Sequence, residues 1–170
     1  MPNFRQADKQ AFTLVESLIE DHYEELRDAE VKIGILFAYP TSGAGPCLKN
    51  AGHAVAAKVR VVSHKDRVAG LEDAQILVDG NAWEGWSEER RAAVLDGRLC
   101  ALEVLKDDEG VVLEDDCSRP RLKVKPHDFV LEGFAEIAER YGEESLEVST
   151  ARAITDEFGQ MLFPWVTLEG

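Results

Sequence analysis

Cysteine is scarce in this chain, and basic charge is scarcer than acidic. Cys47, Cys100 and Cys117 are the three cysteines among 170 residues, and no two form a C-x-x-C pair. An odd, scattered set argues against a disulfide framework and fits reduced thiols, hence a cytoplasmic setting. Lys and Arg number 19 against 33 Asp and Glu, a formal charge of −14. Direct binding to nucleic-acid phosphates needs a clustered positive surface, so this balance excludes it as the main function. No apolar run approaches the ~20 residues that cross a bilayer. Residues 1–6 also lack the apolar core of a secretory signal. No membrane partner is expected. Repeats, a G-x-S-x-G elbow, a phosphate-binding loop and a D-x-D-x-D-G calcium loop are missing too. Gly43-Ala44-Gly45 lacks the strand-to-helix setting of a dinucleotide site.

What is present predicts one domain over residues 1–170, of the α+β class. An amphipathic helix is expected at 7–28, with Phe12, Val15, Leu18, Ile19, Tyr23 and Leu26 near a 3.6-residue period. Residues 31–39 read as a buried strand. Residues 40–52 read as a loop rich in Gly and Pro. Residues 54–63 alternate Val55, Ala57, Val59 and Val61 against Lys58 and Arg60, the pattern of an edge strand. A helical turn is expected at 66–71 and a short strand at 75–78. Ser87 is placed to cap a helix whose Ala92, Leu95, Leu99 and Leu102 form one apolar stripe. Two short strands, 103–106 and 111–113, flank Asp107-Asp108-Glu109-Gly110 as a hairpin. A further helix is expected at 126–140, with Phe129, Val130, Phe134, Ile137 and Ala138 inward and Gly142 as its left-handed stop. A C-terminal helix near 145–158 and an apolar tail complete residues 143–170.

The helix after Ser87 carries the most informative text. Trp83 and Trp86 precede Ser87-Glu88-Glu89-Arg90-Arg91-Ala92-Ala93-Val94-Leu95-Asp96. Next come Leu99-Cys100, an acidic hairpin and Lys125-Pro126-His127-Asp128. The order and spacing of these parts over residues 31–142 resemble the phage metallopeptidase family, a zincin-like group. The resemblance implies a small mixed or antiparallel sheet packed against three to four helices, and a zinc site. In such proteins the text after Leu95-Asp96 reads His-Glu-Leu-Cys-His. Here it reads Gly97-Arg98-Leu99-Cys100-Ala101. In H-E-x-x-H two imidazoles one helical turn apart hold zinc, and the glutamate between them takes a proton from zinc-bound water. Gly97 and Ala101 have no donor atoms. Arg98 stays protonated, cannot be a base, and repels a divalent cation. Only His127, at the position resembling a third ligand, offers an imidazole. A catalytic zinc usually needs three protein ligands. The expectation is therefore no catalytic residue and no cofactor, with zinc chemistry lost.

Other constellations are weaker. Cys47, His53 and His64 match no known zinc spacing. Cys100 reads as a small core residue. The acidic hairpin reads most simply as a solvated turn. A fold kept after its chemistry has gone implies a phage or prophage protein that binds a host protein. The charge then favours a target with a basic groove, such as a nucleic-acid-binding host-defence complex, inhibited in the manner of an anti-CRISPR protein. Arg98, Asp107, Asp108, Glu109, Asp115, Asp116 and Trp165 are the expected contact residues. A metal-dependent hydrolase with a rearranged site, and a phage structural or assembly protein, are the alternatives.

Overall fold

The first element is one that hydropathy does not announce. β1 (Asn3–Gln6) is exposed along its length and forms because it pairs antiparallel with β2 (Ile33–Tyr39). The computed structural model describes residues 2–43, 45–128 and 133–159. It divides into two units, Met1–Pro126 and His127–Gly170, each described by itself.

In the first unit, Asp8 caps α1 (Lys9–His22) by accepting the Ala11 N–H at 2.8 Å. The predicted helix at 7–28 breaks at Tyr23, whose φ of −123° and ψ of 63° are not helical; α2 (Glu24–Asp28) follows. β3 (Lys49–Asn50) and β4 (His53–Ala54) form a small hairpin where the Gly/Pro-rich loop meets the strand predicted at 54–63. β5 (Ala57–Val61) leads to α3 (His64–Val68), and β6 (Ala74–Asp79) follows. The four-stranded sheet has the order β1-β2-β6-β5. β2 and β6 run parallel at its centre, with Ile35 opposite Ile76 and Phe37 opposite Val78. Central parallel strands are covered on both faces, which is why 33–39 and 74–79 are nearly continuous apolar runs. β5 pairs antiparallel with β6 and closes one side of the sheet, as Lys58 and Arg60 predict.

Asp79 ends β6 and caps α4 (Gly80–Gly85). A Cβ on Gly80 would overlap the Tyr39 ring, so this corner needs glycine. Trp83 of α4 is buried and donates its Nε1–H to Asp8 at 3.2 Å. α5 (Glu88–Cys100) is capped by Ser87 as the sequence predicts. Val15 of α1, Leu95 and Leu99 of α5, and Ile35, Phe37, Ile76 and Val78 of the sheet belong to one core. Leu95 and Leu99 are fully buried, each worth about 1.5–3 kcal/mol of transfer free energy.

β7 (Leu102–Val104) pairs with β8 (Leu122–Val124), and the chain between them folds as a double turn. The predicted turn at 107–110 is there, with Asp107 donating its N–H to the Val111 carbonyl at 2.9 Å, but 111–113 is not a strand and is held by the isolated Lys106–Val112 bridge. A second turn at 115–119 returns the chain to Pro120, which bridges Glu114.

In the second unit the helix is shorter than predicted. Residues 127 and 128 are not helical and α6 spans Ala135–Tyr141; Phe129 and Val130 lie outside the described residues. Phe134, expected inward, is exposed and only precedes the helix. Proline at 126 sets an extended neighbourhood rather than a helix start. Gly142 takes a positive φ of 53°, although its ψ of −126° is not that of a left-handed helix. Ser145 caps α7 (Leu146–Ile154).

Candidate functional site

Three features could bear chemistry: the C-terminal end of α5, the acidic double turn, and a cluster that joins that turn to α3. At the end of α5, Gly97 is exposed and, apart from its chain neighbours and its own helix backbone, nothing lies within 4 Å of where its Cβ would be. Ala101 follows the helix and is buried. Arg98 is half-buried, and its Nη1 donates to the Ala57 carbonyl of β5 at 3.4 Å. Its Nε is buried without a hydrogen bond. Arg98 therefore ties the helix to the edge strand.

Cys100 is exposed, not the core residue expected. It sits one position past Leu99, about 100° further round the helix. There it lines a cleft of about 680 Å³ with His22, Tyr23, Glu25, Lys106 and Lys123. Burial, then the hydrogen bond to Asp96, pushes the Tyr23 phenol well above its usual range. Neither Gly97, Arg98 nor Ala101 lines this cleft.

The acidic contact set separates in the structure. Asp107, Asp108, Glu109 and Asp116 are exposed. Asp107 also shapes its own turn, its Oδ1 accepting the N–H groups of Glu109 and Val111, both at 2.9 Å. Asp115 is different: its side chain is only 8% exposed. Its Oδ1 accepts from the N–H groups of Cys117 at 2.9 Å and Arg119 at 3.1 Å. Burial works to raise its pKa but is outweighed. The two N–H groups, then the charges of Arg67 and His64, hold the carboxyl below its ordinary value. Trp165 lies outside the described residues. His127 is exposed, at the start of the second unit.

Sequence reasoning missed the buried ionic cluster. Arg67 and Asp73 are buried. Arg67 Nη2 lies 3.0 Å from Asp115 Oδ2, and Arg67 Nη1 donates to the Pro120 carbonyl at 3.0 Å. Arg119 Nε lies 2.8 Å from Asp73 Oδ1, while Asp73 Oδ2 accepts the Lys32 N–H at 2.8 Å. Two cations and two anions balance, which is how charges survive away from water. On the outer side of this cluster stand His64 and Cys117. His64, Asp115 and Cys117 form a trio whose ligand atoms all lie within 4.8 Å of one another, the one such trio among the described residues. Their sequence separation of about fifty residues hides them; the available signal was that His64 opens a helix directly after an edge strand.

The fold is thus a small α+β domain whose principal helix is tied to an edge strand. The model of a family described as putative phage metallopeptidase matches residues 4–158, and the chain belongs to that family. No curated protein and no solved structure matches the chain significantly. The family description implies metal use, and the resemblance read from the sequence would set that metal at the α5 end. The residues there do not fit one: Gly97 and Ala101 carry no donor, and Arg98 holds a permanent positive charge between them.

Proposed function

We propose that this chain is a non-catalytic member of its family that acts by binding another protein. The carrying observation is Arg98. A fixed cation, bonded to the carbonyl of the edge strand, occupies the middle of the segment where the family resemblance sets the general base. Its neighbours one residue before and three after offer no metal donor. The partner is a host protein with a basic, nucleic-acid-binding groove. Charge complementarity supports this: the outer faces of α1 and α2 present Glu16, Glu20, Asp21, Glu24 and Glu25 to solvent, and opposite charge steers encounter.

The catalytic half is tested with the purified chain, zinc and casein. No cleavage above the blank is expected; cleavage that a chelator abolishes would overturn the reading. The binding half is tested on the captured host partner. Its affinity should fall steeply with salt, and duplex DNA should compete for it. Affinity indifferent to both would remove the basic groove from the proposal.

A further inference from the structure

Among the described residues, the trio at the second turn is where three metal-donor side chains converge. We infer that His64, Asp115 and Cys117 form a three-ligand binding site for a divalent transition metal of the zinc type, remote from the α5 end. The inference is independent of the reading of Arg98.

Geometry comes first. The three donor atoms lie within 4.8 Å of one another. Zinc–donor bonds of ~2.0–2.3 Å set donor–donor separations of roughly 3.3–3.8 Å around a tetrahedral ion. The closing movement is therefore about 1 Å. His64 and Cys117 are exposed and can make it by small side-chain rotations; Asp115 need not move.

Asp115 is the fixed member. Its Oδ1 is held by two backbone N–H groups. Its buried Oδ2 is ion-paired to the Arg67 guanidinium at 3.0 Å, so Asp115 would enter the site as a carboxylate shared with that cation. A carboxylate oriented by a second layer of partners is what a metal site requires. His64 is oriented by a different element, the first turn of α3, whose cap is Ser63.

Donor chemistry sets the ion. One thiolate, one imidazole and one carboxylate suit zinc, and cobalt as its spectroscopic substitute; calcium and magnesium prefer oxygen alone. On binding, the Cys117 thiol would give its proton to solvent, and the thiolate would offset part of the ion's charge, Asp115 being shared with Arg67. The function of the site is to pin α3 to the 115–119 turn, two pieces already joined by Arg67. It is distant from Arg98, which bonds Ala57 at the opposite end of β5 from Ser63. Six residues of extended chain make that separation roughly 20 Å.

The test uses the full chain, reduced and stripped of metal. Titration with cobalt should give a thiolate-to-metal charge-transfer band that saturates at one ion per chain and is displaced by zinc. Zinc should also protect Cys117 from iodoacetamide while Cys100 goes on reacting. His64→Ala and Cys117→Ser should each abolish the band, and Cys100→Ser should keep it. Protection of Cys117 needs no variant, so the inference stays open to refutation even if a substitution disturbs folding. Absence of the band, a band that survives both substitutions, or protection at Cys100 instead would overturn it. So would a band lost only in His127→Ala, which would return the metal to the family's own position. Casein cleavage bears on Arg98 alone, so the two readings fail separately.

Discussion

The two turns of the segment between β7 and β8 are nearly the same object in two settings. In the first, Asp107 accepts two backbone N–H groups, and Gly110 stands at a φ of 83°. In the second, Asp115 accepts two backbone N–H groups at the same spacing, and Ser118 stands at a φ of 56°. Each opening aspartate also exchanges backbone bonds with the residues three and four further on. An aspartate that closes its own turn is a local device, written in the sequence. What surrounds it is not local. The first turn faces water, while the second rests on Arg67 and, through Arg119, on Asp73. Identical local chemistry thus yields a solvated loop in one place and a fixed platform in the other.

The strongest way to break the comparison is to remove its buried part. Asp73→Ala leaves Arg67 and Arg119 without their shared anion, and a buried pair broken from one side costs about 3–5 kcal/mol. The exposed Lys106–Glu25 pair beside the first turn offers the contrast. Lys106→Ala should cost no more than about 1 kcal/mol. Urea denaturation of both variants measures the gap. Equal losses would mean that the second turn is no better anchored than the first.

Exchanging the turn residues sharpens the comparison at the backbone. Gly110→Ala forces a Cβ into a left-handed position, where an L-residue costs roughly 1–2 kcal/mol. Ser118→Gly relieves the corresponding strain. It should raise stability by less than about 1 kcal/mol, since glycine also enlarges the unfolded ensemble. Denaturation midpoints should move in opposite directions.

These two turns also show how far the sequence could be read. Asp107-Asp108-Glu109-Gly110 announces a hairpin, and the β2 and β6 apolar runs, the edge position of β5 and the Ser87 cap are equally legible, because each is set by neighbours along the chain. β1 is not legible, since its residues become a strand only through pairing with β2. The split at Tyr23 follows the same rule: its phenol reaches across to Asp96, a long-range bond that no helical period encodes. Arg67, Asp73, Arg119 and Asp115 look like four more surface charges until the fold gathers them. That residues 97, 98 and 101 offer no metal donor is readable from letters alone. The tie from Arg98 to β5 is not.

The smallest expected effect concerns the thiols. Cys117 lies exposed in the second turn, whereas Cys47 is half-buried, its N–H donated to Asp79 at 3.0 Å. Burial first, then Asp79, pushes the Cys47 thiol up from 9.0 to about 11. A raised folded-state value means that the folded chain keeps this proton after the unfolded chain has lost it. The stabilisation from Cys47 is therefore complete below pH 9 and fades as pH rises through about 11. Cys47→Ala should flatten that alkaline decline in a melting series. At pH 8, iodoacetamide should modify Cys117 before Cys47; the reverse order would contradict the packing around Cys47.

The open space at Gly97 bears on whether a metal donor could be installed there. Apart from its chain neighbours and its own helix backbone, nothing lies within 4 Å of where its Cβ would be, and alanine would hold the helix better than glycine by about 1 kcal/mol. A histidine introduced at 97 would meet no clash at its Cβ. What stands in the way is one residue along, where the Arg98 guanidinium would have to release the Ala57 carbonyl.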